Sequence, residues 1–309
     1  MDGILVVAKP AGPTSHDVVA LVRRLSATSR VGHGGTLDPF ASGVLPLFLG
    51  TATRLVEYHL GDPKTYRATV CFGASSTTDD LDGELTPSTA PAPTRDALVN
   101  TLATFRGAIV QRPPAFSAVF VGGRRAYALA RAGERPVLPD RTVTIERLDL
   151  TAWDDDDPDR PIAVLDVRCS AGTYVRALAR DLGAATGSAA YLGALARTAS
   201  GPFRIVDAVD LDMLREAVAT AGPEGLRTYL QPVDSGLESM ARVRLTEAEI
   251  GEVALGRVIA PVATLPDVGE TTPILMTDGG TGVVGVGRRR DGRLAPDKIL
   301  VERRAAHGA

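Results

Sequence analysis

A glycine-rich stretch between residues 32 and 46 contains the residue best suited to do chemistry. Its sequence is Gly-His-Gly-Gly-Thr-Leu-Asp-Pro-Phe-Ala-Ser-Gly-Val-Leu-Pro, in which the acid is Asp38 and the next residue is Pro39. Glycines let a backbone approach a ligand closely, and a proline pushes the residue before it toward an extended conformation. A carboxylate presented in this way can act as a nucleophile or as a base. Asp-Pro in such a loop is also a frequent turn former, so the motif alone leaves the function open.

The elements that must hold this loop are predicted from the spacing of apolar residues. Residues 4–7 form a short apolar run that ends at a Pro/Gly turn, which predicts a buried strand. A helix is predicted next, with Ser15 at its N-cap and apolar residues at helical spacing up to residue 25. Residues 32–46 lack such periodicity, so we expect an ordered but irregular loop there.

Two alternating segments, residues 64–73 and 162–169, predict further strands. In the first of them, Tyr66 falls on the apolar and therefore buried face. A helix is predicted after the second strand, closed by Gly183, and Arg176 lies on a face of this helix away from its apolar stripe.

The pattern changes after a predicted linker at residues 221–235. Thr246 and Glu249 have the spacing of a capping box, which predicts the start of a helix. Short strand-like runs follow it, between residues 258 and 301. This part of the chain therefore predicts a compact, mostly β domain.

Composition limits the class of protein. The chain has 309 residues, of which 44% are hydrophobic and 23% charged, as in a globular protein with two domains. No apolar run approaches the ~20 residues that span a bilayer, and the first residues do not resemble a secretory signal, so we expect a cytoplasmic protein without membrane contact. A net charge of −3 argues against binding nucleic acid through overall charge, and leaves local arginine groups as candidates.

Several chemistries are disfavoured by the residues present. The four histidines and two cysteines do not have the spacing of metal ligands, so no metal site is predicted. No G-x-S-x-G motif is found, which argues against a Ser-His-Asp hydrolase. A glycosidase would need a second carboxylate about 5 to 10 Å from Asp38, and no other acid shares its loop.

Seven stretches in the first two thirds of the chain resemble the TruB family of tRNA pseudouridine synthases. The catalytic-loop motif of that family matches residues 33–46, and the resemblance spans roughly residues 3–205. The other stretches follow in the order that the family shows: Lys9-Pro10-x-Gly12-x-x-Ser15, Lys64-x-Tyr66, Phe105-Arg106-Gly107 through Gln111-x-Pro113-Pro114-x-x-Ser117-Ala118, Gly123-x-x-Ala126-Tyr127-x-x-Ala130-Arg131-x-Gly133, Cys169-Ser170-x-Gly172-Thr173-Tyr174-x-Arg176, and Leu195-x-Arg197-Thr198-x-Ser200-Gly201.

The resemblance implies an α+β protein with the pseudouridine synthase fold, built on a central mixed, mostly antiparallel sheet. It implies a catalytic domain over residues 1–230, with an RNA-clasping insertion at about residues 119–141, and a small, mostly β, PUA-like RNA-binding domain over residues 231–309. The implied activity is the isomerisation of uridine to pseudouridine at position 55 in the T-loop of tRNA. The implied partner is the T-arm of tRNA, with no cofactor, no obligate protein partner and a monomeric state.

The resemblance also implies roles for particular residues. Asp38 would be the nucleophile or base that acts on a flipped-out uridine, Arg176 would pair with it, and Tyr66 would stack on the uracil and is a candidate to take the C5 proton. Further residues would contact substrate or RNA, with Lys9, Lys64 and Arg197 as candidates for phosphate contacts: His33, Leu195, Tyr174, Lys9, Lys64, Arg124, Arg125 and Arg197.

Each of these residues has an ordinary alternative when it is considered singly. Tyr66 and Leu195 lie among apolar neighbours, as core residues do, and Arg176 or His33 could be a surface residue. An alternative function also stays open at this point, namely an RNA-binding or tRNA-folding module in which catalysis is secondary.

Overall fold

A computed structural model describes residues 1–117, 119–121, 123–134, 138–280 and 282–301. Within these ranges the chain forms two β-sheets of different size, with helices packed mainly on the larger one. The helices are α1 Ser15–Ser26, α2 Glu57–Leu60, α3 Arg95–Thr104, α4 Ala126–Arg131, α5 Val175–Ala185, α6 Leu211–Ala221 and α7 Glu247–Ala254.

The strands of the described part differ in length from two to fourteen residues. In chain order they are β1 Gly3–Lys9, β2 Val31–His33, β3 Ser42–Leu49, β4 Lys64–Phe72, β5 Ala74–Ser76, β6 Leu85–Pro87, β7 Gly107–Gln111, β8 Phe120–Val121, β9 Arg124–Arg125, β10 Arg141–Asp154, β11 Ile162–Cys169, β12 Ala190–Ser200, β13 Phe203–Arg204, β14 Leu230–Gln231, β15 Ala241–Arg244, β16 Ile274–Thr277, β17 Val283–Arg290 and β18 Arg293–Ile299.

The larger sheet has the strand order β14-β1-β3-β12-β4-β11-β10-β7, with β2 paired to β3 and β13 paired to β12. Its neighbouring strands are antiparallel apart from β3 and β12, which run parallel and place Arg197 opposite Gly43. Gly43 has a φ of +107°, and a Cβ on it would lie 2.2 Å from the carbonyl oxygen of Arg197. Glycine is therefore required where the loop that carries Asp38 enters β3.

Among the described residues, three apolar clusters cover the larger sheet, and the two larger ones pack against helices. The alternating residues of β4, including Tyr66 and Phe72, pack with α3 and α5, so the predicted buried face of this strand is confirmed. Residues of β1 and β3 pack against α1 and α6 in the second cluster. Helix α6 lies just before the segment where a linker was predicted, and its amphipathic pattern was not recognised in the sequence.

The smaller sheet has the order β15-β16-β17-β18 and encloses its own apolar cluster with α7. Thr246 and Glu249 form the predicted capping box at the start of α7. Another group of apolar residues links the smaller sheet to the short helical turn that follows β3, since Leu55 packs with Leu275 and Val286. Within the ranges given above, no helix has both the length and the apolar composition that would let it cross a membrane.

Three local expectations were wrong. Residues 42–46 belong to β3 rather than to an irregular loop, because their apolar side chains are buried against both faces of the sheet. The N-cap of α1 is Thr14 rather than Ser15, since Thr14 forms a capping box with Asp17. Gly183 lies inside α5, where a Cβ would be 2.3 Å from the backbone nitrogen of Ala190, so it allows close packing and does not end the helix.

Candidate active site

Asp38 lies in the turn between β2 and β3, with its side chain partly exposed. Its neighbour Leu37 points into the apolar cluster beneath the sheet and is 3% exposed, whereas the Asp38 side chain is 35% exposed. The backbone of the turn is fixed by hydrogen bonds from Ala41 N to Asp38 O (3.1 Å) and from Gly12 N to Pro39 O (2.8 Å). Because Leu37 and Pro39, on either side of Asp38, are both held in place, the carboxylate is presented on a rigid loop.

Buried polar side chains from separate elements hold this loop from below. The hydroxyl of Ser15 donates to Leu37 O (3.0 Å) and accepts from Leu37 N (2.9 Å). The guanidinium of Arg197 donates to the carbonyl oxygens of Gly35 (3.0 Å), Thr36 (3.3 Å) and Val44 (2.7 Å). Because Thr14 supplies the helix cap, the Ser15 hydroxyl is available for this contact.

The expected phosphate contacts of Lys9, Lys64 and Arg197 are not supported by the structure. Arg197 is 1% exposed and its donors point at the loop carbonyls. Lys9 is also 1% exposed, and its ammonium donates to three carbonyl oxygens, those of Pro10 (2.9 Å), Pro13 (2.7 Å) and Pro39 (3.2 Å).

Lys64 is buried in the same way, and its ammonium donates to His59 O (3.3 Å) and Asp62 O (2.7 Å). Burial lowers the pKa of Lys64, and it lowers the pKa of Lys9 to about 8. A phosphate group could not reach these cations without displacing the backbone that they bind. We therefore assign the three residues to the support of the loop and strands around Asp38.

Arg176 connects the loop that carries Asp38 with two other segments. It lies in the first turn of α5, whose apolar residues pack beneath the sheet and turn this side chain into the protein. Its Nε is 3.0 Å from Asp38 Oδ2, and one terminal nitrogen is 3.2 Å from Asp80 Oδ2. The N–H at Nε is not aligned with an acceptor in the described residues, so the contact with Asp38 is an ion pair rather than a linear hydrogen bond.

The same guanidinium also donates to the carbonyl oxygens of Thr78 (3.2 Å) and Phe116 (3.0 Å). Every side of Arg176 thus faces a charged or polar atom, which fixes its position. Charge-assisted contacts of this kind are stronger than those between neutral groups.

Asp80 is a site residue that sequence reasoning missed. It lies in the loop between β5 and β6, is 4% exposed, and accepts hydrogen bonds from the Thr78 hydroxyl and from Asp82 N. The adjacent Asp79 has a φ of +61° and pairs with Arg180 at 2.8 Å, which ties this loop to α5. The sequence signal was a run of acids between two short strands, which is indistinguishable from a solvated acidic turn.

The charges around Asp38 act in opposite directions on its pKa. Burial raises the pKa of Asp38, the Arg176 guanidinium lowers it, and the carboxylate of Asp80 raises it again. Asp80 is also the nearby carboxylate that the glycosidase alternative required. It is buried and bound to Arg176, so it is not exposed as an acid or base for a substrate.

Tyr66 and Leu195 lie near the catalytic loop and belong to the same apolar cluster as Leu37. Tyr66 is opposite Arg197 in the β4–β12 pair, and its hydroxyl lies beside the Arg197 guanidinium. Burial raises the pKa of Tyr66, while the charge of Arg197 works against that rise. Each side chain is 8% exposed, so only an edge of the ring and of the aliphatic chain reaches the surface.

His33 and Tyr174 are half-buried and lie closer to the surface than Tyr66 and Leu195 do. The Nδ1 atom of His33 accepts from Gly35 N (3.3 Å), and its ring makes an edge-on contact with His16, with ring centres 5.6 Å apart. Burial lowers the pKa of His33, and His16 lowers it further. Tyr174 immediately precedes α5, and the guanidinium of Arg141 lies 4.9 Å from its ring centre.

The insertion expected at residues 119–141 consists, where it is described, of the β8–β9 hairpin and α4. Arg124 is exposed and pairs with Glu134 at 3.1 Å. The ring of Tyr127 packs edge-on against Phe116. The side chain of Arg125 lies outside the described residues, so its expected RNA contact stays a prediction.

Comparison with known families places this fold and site in one class. The model for the N-terminal domain of TruB family pseudouridylate synthases matches residues 23–175. The model for the C-terminal domain of tRNA pseudouridylate synthase B matches residues 176–238. The chain belongs to the TruB family of pseudouridylate synthases, as its motifs indicated.

Individual relatives agree with this assignment over nearly the whole chain. The tRNA pseudouridine synthase B of Parasynechococcus marenigrum is 45% identical, with 96% of this chain and 97% of the relative covered. That of Gluconacetobacter diazotrophicus is 39% identical, with 97% of both chains covered.

Among solved structures, a Cbf5-Nop10-Gar1 complex matches with a TM-score of 0.71 and 25% identity, covering 97% of this chain and 85% of that one. An H/ACA RNP bound to a substrate RNA containing 2'-deoxyuridine matches with a TM-score of 0.73 and 24% identity, covering 97% and 86%. The expected fold class is confirmed.

Proposed function

We propose that this protein isomerises uridine to pseudouridine at position 55 in the T-loop of tRNA. The observation that carries the proposal is the ion pair between the partly exposed Asp38 and the buried Arg176, next to the apolar cluster that contains Leu37 and Tyr66, in a chain of the TruB family. The reaction breaks the bond between N1 of uracil and C1′ of ribose, turns the base, and rejoins it through C5. A carboxylate suffices for this chemistry, either as the nucleophile or as a base on the ribose.

Arg176 supports Asp38 in both routes. Burial favours the protonated acid, which can neither attack nor accept a proton, and the adjacent guanidinium favours the charged form. The contacts of Arg176 with Thr78, Asp80 and Phe116 hold its guanidinium in place when the substrate moves. The carboxylate therefore keeps one orientation while the uracil leaves and returns.

Tyr66 supplies an aromatic surface for the uracil and is the candidate acceptor of the C5 proton. The exposed edge of its ring is small in the free protein, and a base that enters beside Leu195 would cover it. Burial raises the pKa of Tyr66 and disfavours the phenolate, the form that accepts a proton, and the Arg197 guanidinium beside the hydroxyl opposes part of this effect. Arg197 thus holds the catalytic loop and also faces Tyr66.

The target uridine must leave its stack in the T-loop, at a cost of about a few kcal/mol. His33 is half-buried at the end of β2, before the loop that carries Asp38, and its ring is our candidate to stack into the space that the uridine leaves. The low pKa of His33 keeps the ring neutral, which favours stacking. Arg124 is exposed on the insertion and is a candidate for the RNA backbone.

We assign residues 1–230 to catalysis, with the clasping insertion at about 119–141, and residues 231–309 to a PUA-like domain that contacts RNA. Support for this division comes from β14, which completes the larger sheet at Gln231, and from the separate apolar cluster around α7. The arginines of β17 are exposed or half-buried and face solvent beside Pro296. The proposed partner is the T-arm of tRNA, bound by a monomer in the cytoplasm.

Incubation of the purified protein with an unmodified tRNA transcript tests the proposal. We expect pseudouridine at position 55, mapped by chemical labelling and primer extension, without an added metal or cofactor. A transcript with cytidine at position 55 is the matched control and should bind without product. Binding of the uridine transcript without any pseudouridine would favour an RNA-folding module and would refute the enzymatic function.

A further inference from the structure

Gln111 is a fully buried polar residue that the mechanism above does not use. It ends β7 and is 0% exposed. Its side-chain Nε2 donates to the carbonyl oxygen of Tyr174 (3.0 Å), and its Oε1 accepts from the backbone N–H of Tyr174 (2.8 Å). A side-chain amide thus pairs with one residue of backbone in the way that a neighbouring strand would.

The position of Tyr174 makes this contact important for the active site. Tyr174 is the residue before α5, and its own side chain makes no capping hydrogen bond to that helix. Arg176 lies two positions further on, in the first turn. The amide of Gln111 therefore fixes the backbone from which the guanidinium of Arg176 extends toward Asp38.

A second contact comes from the same stretch of chain, residues 111–117, which we call the connecting segment. Phe116, near its end, accepts a hydrogen bond from the Arg176 guanidinium through its carbonyl oxygen (3.0 Å). Between the two contacts lie Pro113 and Pro114, whose rings restrict the backbone. The connecting segment thus holds the backbone of Tyr174, two residues before Arg176, and also the tip of the Arg176 side chain, and it leads into the insertion.

We propose that Gln111 is a positioning residue for Arg176, and that through it the connecting segment couples the insertion to the Asp38–Arg176 pair. The inference rests on the proposed function, because it concerns the rate of uridine isomerisation. Gln111 touches neither Asp38 nor the expected path of the uracil, so it acts by placing α5. A small displacement of α5 moves the guanidinium away from the carboxylate, and reaction rates are sensitive to displacements of about 1 Å.

The test compares Gln111→Met, Gln111→Glu and the wild type in single-turnover reactions with saturating tRNA. Methionine keeps the length of the side chain and loses both hydrogen bonds. Glutamate keeps an acceptor for the Tyr174 N–H and loses the donor. We expect a fall in rate of at least tenfold for methionine and a smaller one for glutamate, with the dissociation constant for tRNA within threefold of the wild type.

The dependence of the single-turnover rate on pH distinguishes a positioning role of Gln111 from a merely structural one. Arg176 holds down the pKa of Asp38, so a displaced Arg176 raises that pKa and moves the acid limb of the rate profile to higher pH. Gln231→Met is the matched control, the same change at the far edge of the same sheet, and should leave the profile unmoved.

If the Gln111 variants have the wild-type rate and an acid limb at the wild-type pH, the positioning role of Gln111 is overturned, even if their melting temperatures are lower. The proposed function would not be affected by that result. If Gln111→Met does not fold, Gln111→Glu carries the same test through its own rate and profile. A wild type that makes no pseudouridine would overturn the proposed function and this inference together, so the two failures are distinguishable.

Discussion

Asp38 and Asp80 pair with the same guanidinium, that of Arg176, at 3.0 Å and 3.2 Å. One positive charge therefore pairs with two carboxylates. Arg176 does not fully offset the burial of Asp38, and the pKa of Asp38 stays above its ordinary value. We therefore expect activity to be sensitive to pH and to substitutions in this shared ion pair.

Replacing Asp38 by asparagine should abolish pseudouridine formation. The amide keeps the size of the side chain and loses both the charge and the nucleophilic oxygen, so we expect at least about a thousandfold loss of rate. Affinity for tRNA should change by less than about threefold, because the loop is held by Ser15 and Arg197 rather than by Asp38. Product mapping and filter binding on the same samples provide the measurement, and residual turnover above about one per cent would contradict the assignment.

The substitution Asp80→Asn should distinguish the contribution of Asp80 to the reaction from that of Asp38. The substitution removes one anchor of Arg176, and we expect the single-turnover rate to fall about tenfold at neutral pH through poorer orientation. The charge of Asp80 raises the pKa of Asp38, so its removal should move the acid limb of the rate profile to lower pH. An acid limb that moves upward would mean that Arg176 had left Asp38, and that Asp80 acts as an anchor more than as a charge.

Two substitutions of Tyr66 distinguish stacking from proton transfer. Tyr66→Phe keeps the ring and loses the hydroxyl, and the loss of a general base predicts a rate about a hundredfold lower. Tyr66→Leu also loses the ring, and stacking on an aromatic side chain contributes about 1–3 kcal/mol per base, so weaker tRNA binding should follow. A phenylalanine variant with the wild-type rate would leave stacking as the function of Tyr66 and assign the C5 proton to another acceptor.

The reassignment of Arg197 from phosphate contact to loop support can be tested against Arg124. Arg197→Met removes the guanidinium that donates to one buried and two partly buried carbonyl oxygens, so we expect a loss of roughly 3 kcal/mol in the free energy of unfolding together with most of the activity. Arg124 is exposed, so Arg124→Ala should leave stability within about 0.5 kcal/mol and should weaken tRNA binding mainly at low salt. Denaturant unfolding and salt titrations of binding measure the two effects. The opposite pattern would restore the phosphate role to Arg197.

The sequence was informative where function depends on residue type at a fixed spacing. The loop around Asp38 could be identified because glycine and proline have distinct backbone requirements, and the alternation of β4 placed Tyr66 on its buried face. Arg176 could be identified only with its motif, because a lone helix arginine is usually solvated.

Other features depended on contacts that spacing does not encode. Nothing in the local pattern of Asp80 distinguishes it from a surface acid, because its burial comes from α5 packing over a distant loop. Lys9, Lys64 and Arg197 were misassigned for the same reason. A cation in an RNA-binding family favours a phosphate contact, and only the fold shows that these three point inward at carbonyl oxygens.

The pairing of β3 with β12 also has a consequence for the protein during its synthesis on the ribosome. Asp38 is made early, but the strand that carries Arg197 and the helix that carries Arg176 are made more than a hundred residues later. A nascent chain therefore holds Asp38 without its partner Arg176 and without the loop contacts of Arg197 until about two thirds of the 309 residues have been made. Fragments released by translation that stalls before this point should be inactive.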